Sequence, residues 1–148
     1  DRLADAVSAV RVRATEQGSE SAVYLERAVD GMRQFNTTVV ADHHGCCMSL
    51  GSSESSVQSN YRKWVEEIGS SLLTGTLRQR LDEASVALAR ELGWVGVGVV
   101  RWAVTDDGGA YVLGMAARLT TGYSLFETLH GVDLIDTQLN TLLQDLRL

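Results

Sequence analysis

The sequence contains no proline, only two cysteines, and a single lysine among its 13 basic residues. The cysteines, Cys46 and Cys47, are adjacent, a spacing that is poorly suited to an ordinary cross-linking disulfide. A disulfide scaffold is therefore excluded, and reduced thiols are expected. With 148 residues the chain is long enough to bury one core of its own.

Long apolar runs and an excess of positive charge are also missing. No run reaches the roughly 18 to 20 residues that a membrane helix needs, and the first four residues lack the basic and hydrophobic regions of a secretory signal. The net charge of −6 argues against nucleic acid, which requires clustered Lys and Arg. We therefore expect no nucleic-acid or membrane partner, and a location in the cytoplasm or an organelle matrix.

Apolar residues at spacings of three and four predict helices. The first helix should end near Gly18 and pack on another element, and the second should run from an N-cap at Thr74 or Thr76 to Gly93. A capping box starting at Ser124 predicts a short helix, and Asp133 is a candidate cap for a last one. The three apolar stripes consist of Leu3, Ala6, Val7, Val10 and Ala14, then Leu77, Leu81, Ala84, Leu88 and Leu92, and finally Leu134, Leu139, Leu142, Leu143 and Leu146.

Strands are predicted where short runs are rich in β-branched and apolar residues. These runs are residues 22–27, 35–42, 46–51, 95–104 and 110–115. Residues 43–45 read as a turn, and the Gly-bearing residues 105–109 join the last two strands into a hairpin. The Ser-rich residues 52–60 fit a linker or an irregular edge strand. Together the elements predict an α+β fold, a mostly antiparallel sheet covered by helices.

Four stretches carry a resemblance to a known family. Residues 23–27 read V-Y-L-E-R, residues 63–67 read K-W-V-E-E and residues 130–134 read H-G-V-D-L, and residues 33–42 fit between them with compatible spacing. In this order they resemble the carboxyl-terminal ATP-grasp region of biotin carboxylases, which carboxylate biotin with bicarbonate and ATP. The resemblance covers residues 1–148 and implies that residues 1–30 end a lid-side subdomain and residues 31–148 form the C-terminal subdomain.

The resemblance also identifies the positions that hold magnesium in the family. The family has an acid in a V-E-F strand and an acid and an Asn in E-M-N, and this chain has Arg101, Gly114 and Ala116 there. Magnesium requires oxygen ligands, and an arginine at about 4 Å repels it by roughly 8 kcal/mol at an effective dielectric near 20. The parent family uses ATP, Mg²⁺ and biotin, but we expect no cofactor for this chain.

Other family groups are replaced as well. The Glu that resembles the general base is Gly122, which cannot take a proton. The nucleotide-side His and acid of the R-H-I-E pattern are Gln34 and Asn36, and a further His is Tyr61. The resemblance leaves four vestigial candidates, namely Lys63 and Arg118 as catalytic remnants and Glu26 and Gln58 as nucleotide-binding ones.

Simpler explanations exist for several of these residues. Lys63 could form an ion pair with Glu66 or Glu67, and Arg118 one with Glu127 or Asp133. Metal-capable atoms occur in His43, His44, Cys46 and Cys47, but neighbouring strand residues point to opposite faces, so a plain turn is favoured. Trp94 and Trp102 are expected in the core rather than as a stacking platform for a base.

Three functional hypotheses follow. The leading one is a catalytically degenerate domain with a structural or assembly role in a biotin-dependent acyl-CoA carboxylase-type complex, where its partners are other carboxylase subunits or domains. The chain itself is then not an enzyme, although its parent family is an ATP-dependent ligase, and a homo-oligomer stays open. The alternative is a part of an active biotin carboxylase completed by other segments or subunits. A metal or redox module at residues 43–47 is the third.

Overall fold

In a computed structural model that describes residues 2–18, 22–59 and 62–143, an antiparallel five-stranded sheet forms the centre of the chain. Its strand order is β5-β2-β1-β6-β7, and the two-residue strands β3 and β4 pair separately. The strands are β1 (Arg33–Ala41), β2 (Cys47–Glu54), β3 (Gln58–Ser59), β4 (Arg62–Lys63), β5 (Glu67–Ile68), β6 (Gly96–Val104) and β7 (Ala110–Ala116). The predicted α+β class and the β6–β7 hairpin are confirmed.

Four helices accompany the sheet: α1 (Arg2–Glu16), α2 (Gly75–Glu91), α3 (Tyr123–His130) and α4 (Leu134–Leu142). Of the two candidate caps for α2, Thr74 is the observed one, and its hydroxyl accepts from the backbone N of Leu77 at 3.4 Å. Asp133 caps α4 as predicted, accepting from the backbone N of Asp136. None of these helices is both long and apolar enough to cross a bilayer.

The predicted capping box at Ser124 is wrong. Helix α3 begins one residue earlier, at Tyr123, and its N-cap residue Gly122 has no side chain with which to cap it. In a capping box the carboxylate of Glu127 would accept from the backbone N of Ser124 at the start of the helix. Here it accepts from the backbone N of Leu134 at 2.8 Å instead. Glu127 therefore stabilises the start of α4 rather than the start of its own helix.

The two faces of the sheet are covered by different helices. Helix α2 packs on one face, where Leu81 meets Phe35 and Trp102 in a buried cluster. Helices α3 and α4 pack on part of the other face through Phe126 and Leu134. Successive strand residues point to opposite faces, so β1 and β6 each contribute to both layers.

Two predicted strand and linker assignments need correction. Residues 22–27 do not form a strand, since no described strand pairs with them. Residues 52–55 are not a linker, because β2 continues to Glu54 and the segment is buried. Serine can be buried there because its hydroxyls find partners, as Ser52 does with the Thr37 hydroxyl at 2.7 Å.

The apolar stripes of the outer helices are covered less than predicted. Helix α1 has no fully buried side chain in the described part of the chain, so the packing expected of its apolar stripe stays a prediction. In and just after α4, Leu134 is buried but Leu139, Leu142 and Leu143 are more than half exposed, and Leu92 at the end of α2 is exposed too. Leu146 lies outside the described residues. Periodicity predicted these helices, but it did not predict which of them have a partner.

Candidate functional site

A pocket of about 440 Å³ lies on the sheet face opposite α2, bordered by β1, β6, β7 and the β3–β4 pair. We call it the basic pocket, because four cationic side chains and no carboxylate line it. Its lining residues are Gln34, Asn36, Gln58, Arg62, Lys63, Val99, Arg101, Ala116, Arg118, Thr120 and Thr121. Three of the four vestigial residues singled out from the sequence, Gln58, Lys63 and Arg118, are thus brought together.

Sheet register places the predicted metal positions side by side. Arg101 pairs with Asn36 of β1 on one side and with Gly114 of β7 on the other, while Ala116 pairs with Val99. The β6–β7 ladder has an irregularity just after Arg101, and Gly114 adopts φ +144°. The positions that the resemblance assigns to the metal site, 101, 114 and 116, therefore lie on two neighbouring strands.

The guanidinium of Arg101 lies over Gly114. A Cβ atom built on Gly114 would be 3.2 Å from Arg101 Nη2, a distance that most real side chains avoid. Magnesium prefers carboxylate and water oxygens, and the lining offers a fixed positive charge in their place. In the described parts of the chain, no three His, Cys, Asp or Glu residues group into a possible metal site. These residues do not fit a magnesium ion.

A carboxylate also fills the space beside Gly122, the position that the resemblance assigns to the general base. Both oxygens of Glu66 lie 3.2 Å from Lys63 Nζ, and Glu66 Oε1 also accepts from the Ser53 hydroxyl at 2.7 Å and from Asn36 Nδ2 at 3.2 Å. A Cβ on Gly122 would approach Glu66 Oε1 to 2.5 Å. The simpler explanation of Lys63, an ion pair, is confirmed with Glu66 as its partner.

The remaining cations of the pocket have no such partner. Arg118 donates to the carbonyl of Leu119 at 3.1 Å, so the predicted ion pair with Glu127 or Asp133 is wrong. Those two carboxylates are used by backbone N–H groups at the start of α4. Within the described ranges, neither Arg62 nor Arg101 forms an ion pair. Three exposed arginines of the pocket lining therefore have no carboxylate partner within the described part of the chain.

Amide groups form the end of the pocket near β3. Gln58 Nε2 donates to Gln34 Oε1 at 2.8 Å, so these two amides hold each other in place. Gln58 also pairs with Lys63 across the short β3–β4 ladder, which places these two residues side by side. Glu26, the fourth vestigial residue, is exposed and does not line the pocket. Tyr61 lies outside the described residues.

At the start of β1, on the side of the sheet that Phe35 faces, Arg33 and Glu54 form a two-pronged ion pair. Arg33 Nε lies 2.7 Å from Glu54 Oε1, and Arg33 Nη2 lies 2.6 Å from Oε2. Burial by itself would raise the pKa of Glu54, but hydrogen bonds from Ser56 and Arg33, together with the charge of Arg33, outweigh burial and lower the pKa. This pair fixes β1 against β2 at the end where the pocket begins.

The turn with two histidines and two cysteines forms no metal centre among the described residues. The carboxylate of Asp42 accepts from the backbone N of His44 at 2.8 Å and of Cys46 at 2.9 Å, which closes the turn. Burial raises the pKa of the Cys47 thiol, and the charge of Arg90 only partly opposes this. A neutral buried thiol is a poor metal ligand or nucleophile.

The sequence did not point to two features of the site. Arg62 was not singled out, although its place one residue before Lys63 in a two-residue strand puts it at the pocket. The contact between Glu66 and the space beside Gly122 joins residues far apart in the sequence, and no local pattern could have indicated it. Trp102 lies in the core as predicted, and Trp94 packs partly buried against Val39 and Ala89.

Comparison with known proteins agrees with this geometry. The family described as carbamoyl-phosphate synthase L chain, ATP binding domain, matches residues 1–144. The chain belongs to this family. The similarity within the family is to the ATP-grasp region of biotin carboxylases, as the sequence motifs suggested, and the fold matches that region. How the chain divides into subdomains at residue 30 stays a prediction.

Two curated relatives and one solved structure illustrate the similarity. The chain is 34% identical over 116 residues to the chloroplastic biotin carboxylase of Arabidopsis thaliana, covering 78% of the chain and 22% of the relative. It is 31% identical over 137 residues to the mitochondrial methylcrotonoyl-CoA carboxylase subunit alpha of Dictyostelium discoideum, covering 93% and 20%. The Campylobacter jejuni biotin carboxylase, solved as a β-γ-ATP complex, superposes with a TM-score of 0.92 at 24% identity, covering 97% and 32%. The chain thus spans about a fifth of the curated relatives.

Proposed function

We propose that this chain is a catalytically degenerate biotin-carboxylase-like region with a structural or assembly role in a biotin-dependent carboxylase-type complex. Its partners are other subunits or domains of that complex, consistent with relatives that include a carboxylase subunit alpha. Neither magnesium nor ATP with magnesium is a cofactor of this region. Arg101 lying against Gly114, at the cross-strand pair where the family places two acids, is the observation that carries the proposal.

Electrostatics is the physical reason. Magnesium carries ATP into a phosphoryl-transfer site by bridging the phosphates and the protein's carboxylates. A guanidinium keeps its charge at every pH at which the protein is folded, and it repels the ion by several kcal/mol at contact distance. Even with Arg101 turned away, Gly114 and Ala116 contribute no side-chain oxygen.

The repacking around Gly122 gives independent support. A site that had lost only its acids would leave cavities where those side chains stood. Here the carboxylate of Glu66 fills the space beside Gly122 and the guanidinium of Arg101 fills the space beside Gly114. Restoring a single acid would therefore require the ends of these flexible side chains to move before the acid could serve as a metal ligand.

The direct test is a melting experiment combined with an ATP-cleavage assay on the purified chain. We expect no bicarbonate-dependent ATP cleavage, and no rise in melting temperature with Mg-ATP beyond that given by ATP in EDTA. A ligand at 100 times its dissociation constant raises the unfolding free energy by about 2.7 kcal/mol. Magnesium-dependent binding of ATP would therefore give a clear rise in melting temperature. A melting temperature that rises further when magnesium is added would contradict the proposal.

The alternative, a part of an active ATP-dependent biotin carboxylase, is favoured by one observation. Gln58, Lys63 and Arg118 line a single pocket, as they would if they contributed to a site completed by another polypeptide. In that case Lys63→Ala in the intact assembly abolishes bicarbonate-dependent ATP cleavage. Under our proposal turnover is unchanged, because catalysis belongs to other subunits, and Arg11→Ala in helix α1 is the matched control.

A further inference from the structure

The two edges of the five-stranded sheet differ in length and charge. At one edge lies β5, which has only two residues and carries the charge of Glu67. At the other edge lies β7, which has seven residues, A-Y-V-L-G-M-A, and no charge. Natural sheets protect an exposed edge by keeping it short or by placing charged residues or proline in it. Strand β5 has this protection, and β7 does not.

The outer side of β7 has no partner strand within residues 2–18, 22–59 and 62–143. Strand β6 pairs with its inner side, so the N–H and C=O groups that point away from β6 have no strand to bond with there. The consecutive residues Tyr111, Val112 and Leu113 are 40%, 51% and 42% exposed. A further strand added to this edge would pair the backbone groups and cover these apolar side chains.

We propose that the added strand is β7 of a second copy of this chain, related to the first by a two-fold axis. An antiparallel pairing places the start of each β7 beside the end of the other. The charges at these two ends are opposite, because β7 follows the loop that contains Asp106 and Asp107 and is itself followed by Arg118. A pairing centred near Leu113 therefore brings Arg118 of each copy next to the acidic loop of the other.

The end charges select this arrangement over the alternatives. Arg118, Asp106 and Asp107 are all exposed, and none of them forms an ion pair within the described residues of its own chain. The two-fold axis makes each cross-copy contact occur twice. A parallel pairing would instead bring like charges together at both ends, which costs affinity. Since the remaining edge, β5, is short and charged, the assembly should stop at two copies.

The test is sedimentation equilibrium of the 148-residue chain from about 1 to about 500 µM, a range suited to a small interface. We expect a reversible equilibrium between monomer and dimer. Leu113→Lys places a charge at the centre of the edge in both copies and should raise the dissociation constant by about a hundredfold. Leu129→Lys is the matched control, because this exposed leucine belongs to α3, which contacts β2, and it should leave dimerisation unchanged. The melting temperature of each variant establishes that it is folded.

Exchanging the end charges tests the direction of the pairing. Arg118→Asp and Asp106→Arg each bring like charges together in the dimer, and each should raise the dissociation constant by about tenfold. The double variant restores opposite charges and should dimerise nearly as well as the native chain. A purely local effect of either substitution would not be reversed by the other, so this pair tests the inference even if Leu113→Lys does not fold.

The outcomes that overturn the inference are distinct. A chain that stays monomeric up to about 500 µM contradicts it. A dimer that Leu113→Lys leaves intact uses another surface, and a double variant as weak as the single ones excludes the antiparallel pairing. If the chain is monomeric and β7 instead pairs with a separate carboxylase subunit, that subunit covers the edge and the second copy does not. None of these measurements involves ATP or magnesium, so the proposed function is tested separately.

Discussion

The two faces of the sheet are built from the same strands and differ most in polarity where β1 and β6 pass the basic pocket. Towards α2, alternate residues such as Phe35 and Trp102 are apolar, buried and packed against Leu81. On the opposite face, the intervening residues Asn36 and Arg101 are polar and line the basic pocket. The fold depends on the first set and the chemistry of the family on the second. Acids can therefore be lost from the pocket while the α2 face holds the sheet together.

The largest effect that separates the two faces should come from Phe35→Ala. Phe35 is fully buried under α2, and truncating a buried aromatic residue typically costs about 3 to 5 kcal/mol. Arg101→Ala on the pocket face removes an exposed side chain with no ion pair among described residues and should change the unfolding free energy by less than about 0.5 kcal/mol. Urea unfolding measures both. Similar losses in the two variants would contradict the division of roles.

Restoring an acid at the base position should have the next largest effect. Gly122→Glu places a side chain against the carboxylate of Glu66, which Lys63 and Ser53 hold in position. Overpacking of this kind costs about 1 to 3 kcal/mol, and repulsion between the two carboxylates adds to it. We expect lower stability and no ATP cleavage. Urea unfolding and a phosphate-release assay are the measurements.

A double-mutant cycle provides the control for this prediction. In a Glu66→Ala background the space beside Gly122 is empty, so the cost of Gly122→Glu should shrink substantially. If the two substitutions simply add, the space beside Gly122 is not filled by Glu66 in solution. In that case the account of packing around Gly122 is wrong.

The smallest expected effect concerns the pH dependence of the Arg33–Glu54 ion pair, which lies on the same side of the sheet as Phe35. The pKa of Glu54 is lowered below its ordinary value of 4.5 by Ser56 and Arg33. Its stabilising contribution is therefore complete above about pH 4.5 and is lost as the pH falls through the folded-state pKa. An ion pair with one partner over a third exposed contributes under about 1 kcal/mol. Glu54→Gln should make the unfolding free energy less dependent on pH in this range, and Glu91→Gln should not.

Local patterns predicted most of the fold. The stripe containing Leu77 and Leu81 predicted α2, the Gly-bearing loop predicted the β6–β7 hairpin, and Asp133 was correctly identified as a cap. The errors occurred where a partner decides the outcome. Buried serines such as Ser53 resembled a linker until their hydrogen bonds were known, and Ser124 matched a capping box whose glutamate is used by the next helix.

The site was only partly predictable for the same reason. The assignment of positions 101, 114 and 116 to the metal site rests on motif order along each strand and stays a prediction. Arg101 pairs directly with Gly114 because of the register of the β6–β7 ladder and its irregularity after Arg101. Sequence motifs do not specify this register. The ion pair of Lys63 was considered from the sequence. The contact between Glu66 and Gly122 was not, because it depends on the loop that places Gly122 just before α3.

The most direct measurement of the central claim is the affinity of the chain for ATP with and without magnesium, determined by titration calorimetry on the same preparation. A positive guanidinium at the metal position predicts that magnesium leaves the affinity unchanged or weakens it. An affinity that rises tenfold or more when magnesium is added, and falls again with EDTA, would show that the ion is held after all and would contradict the account.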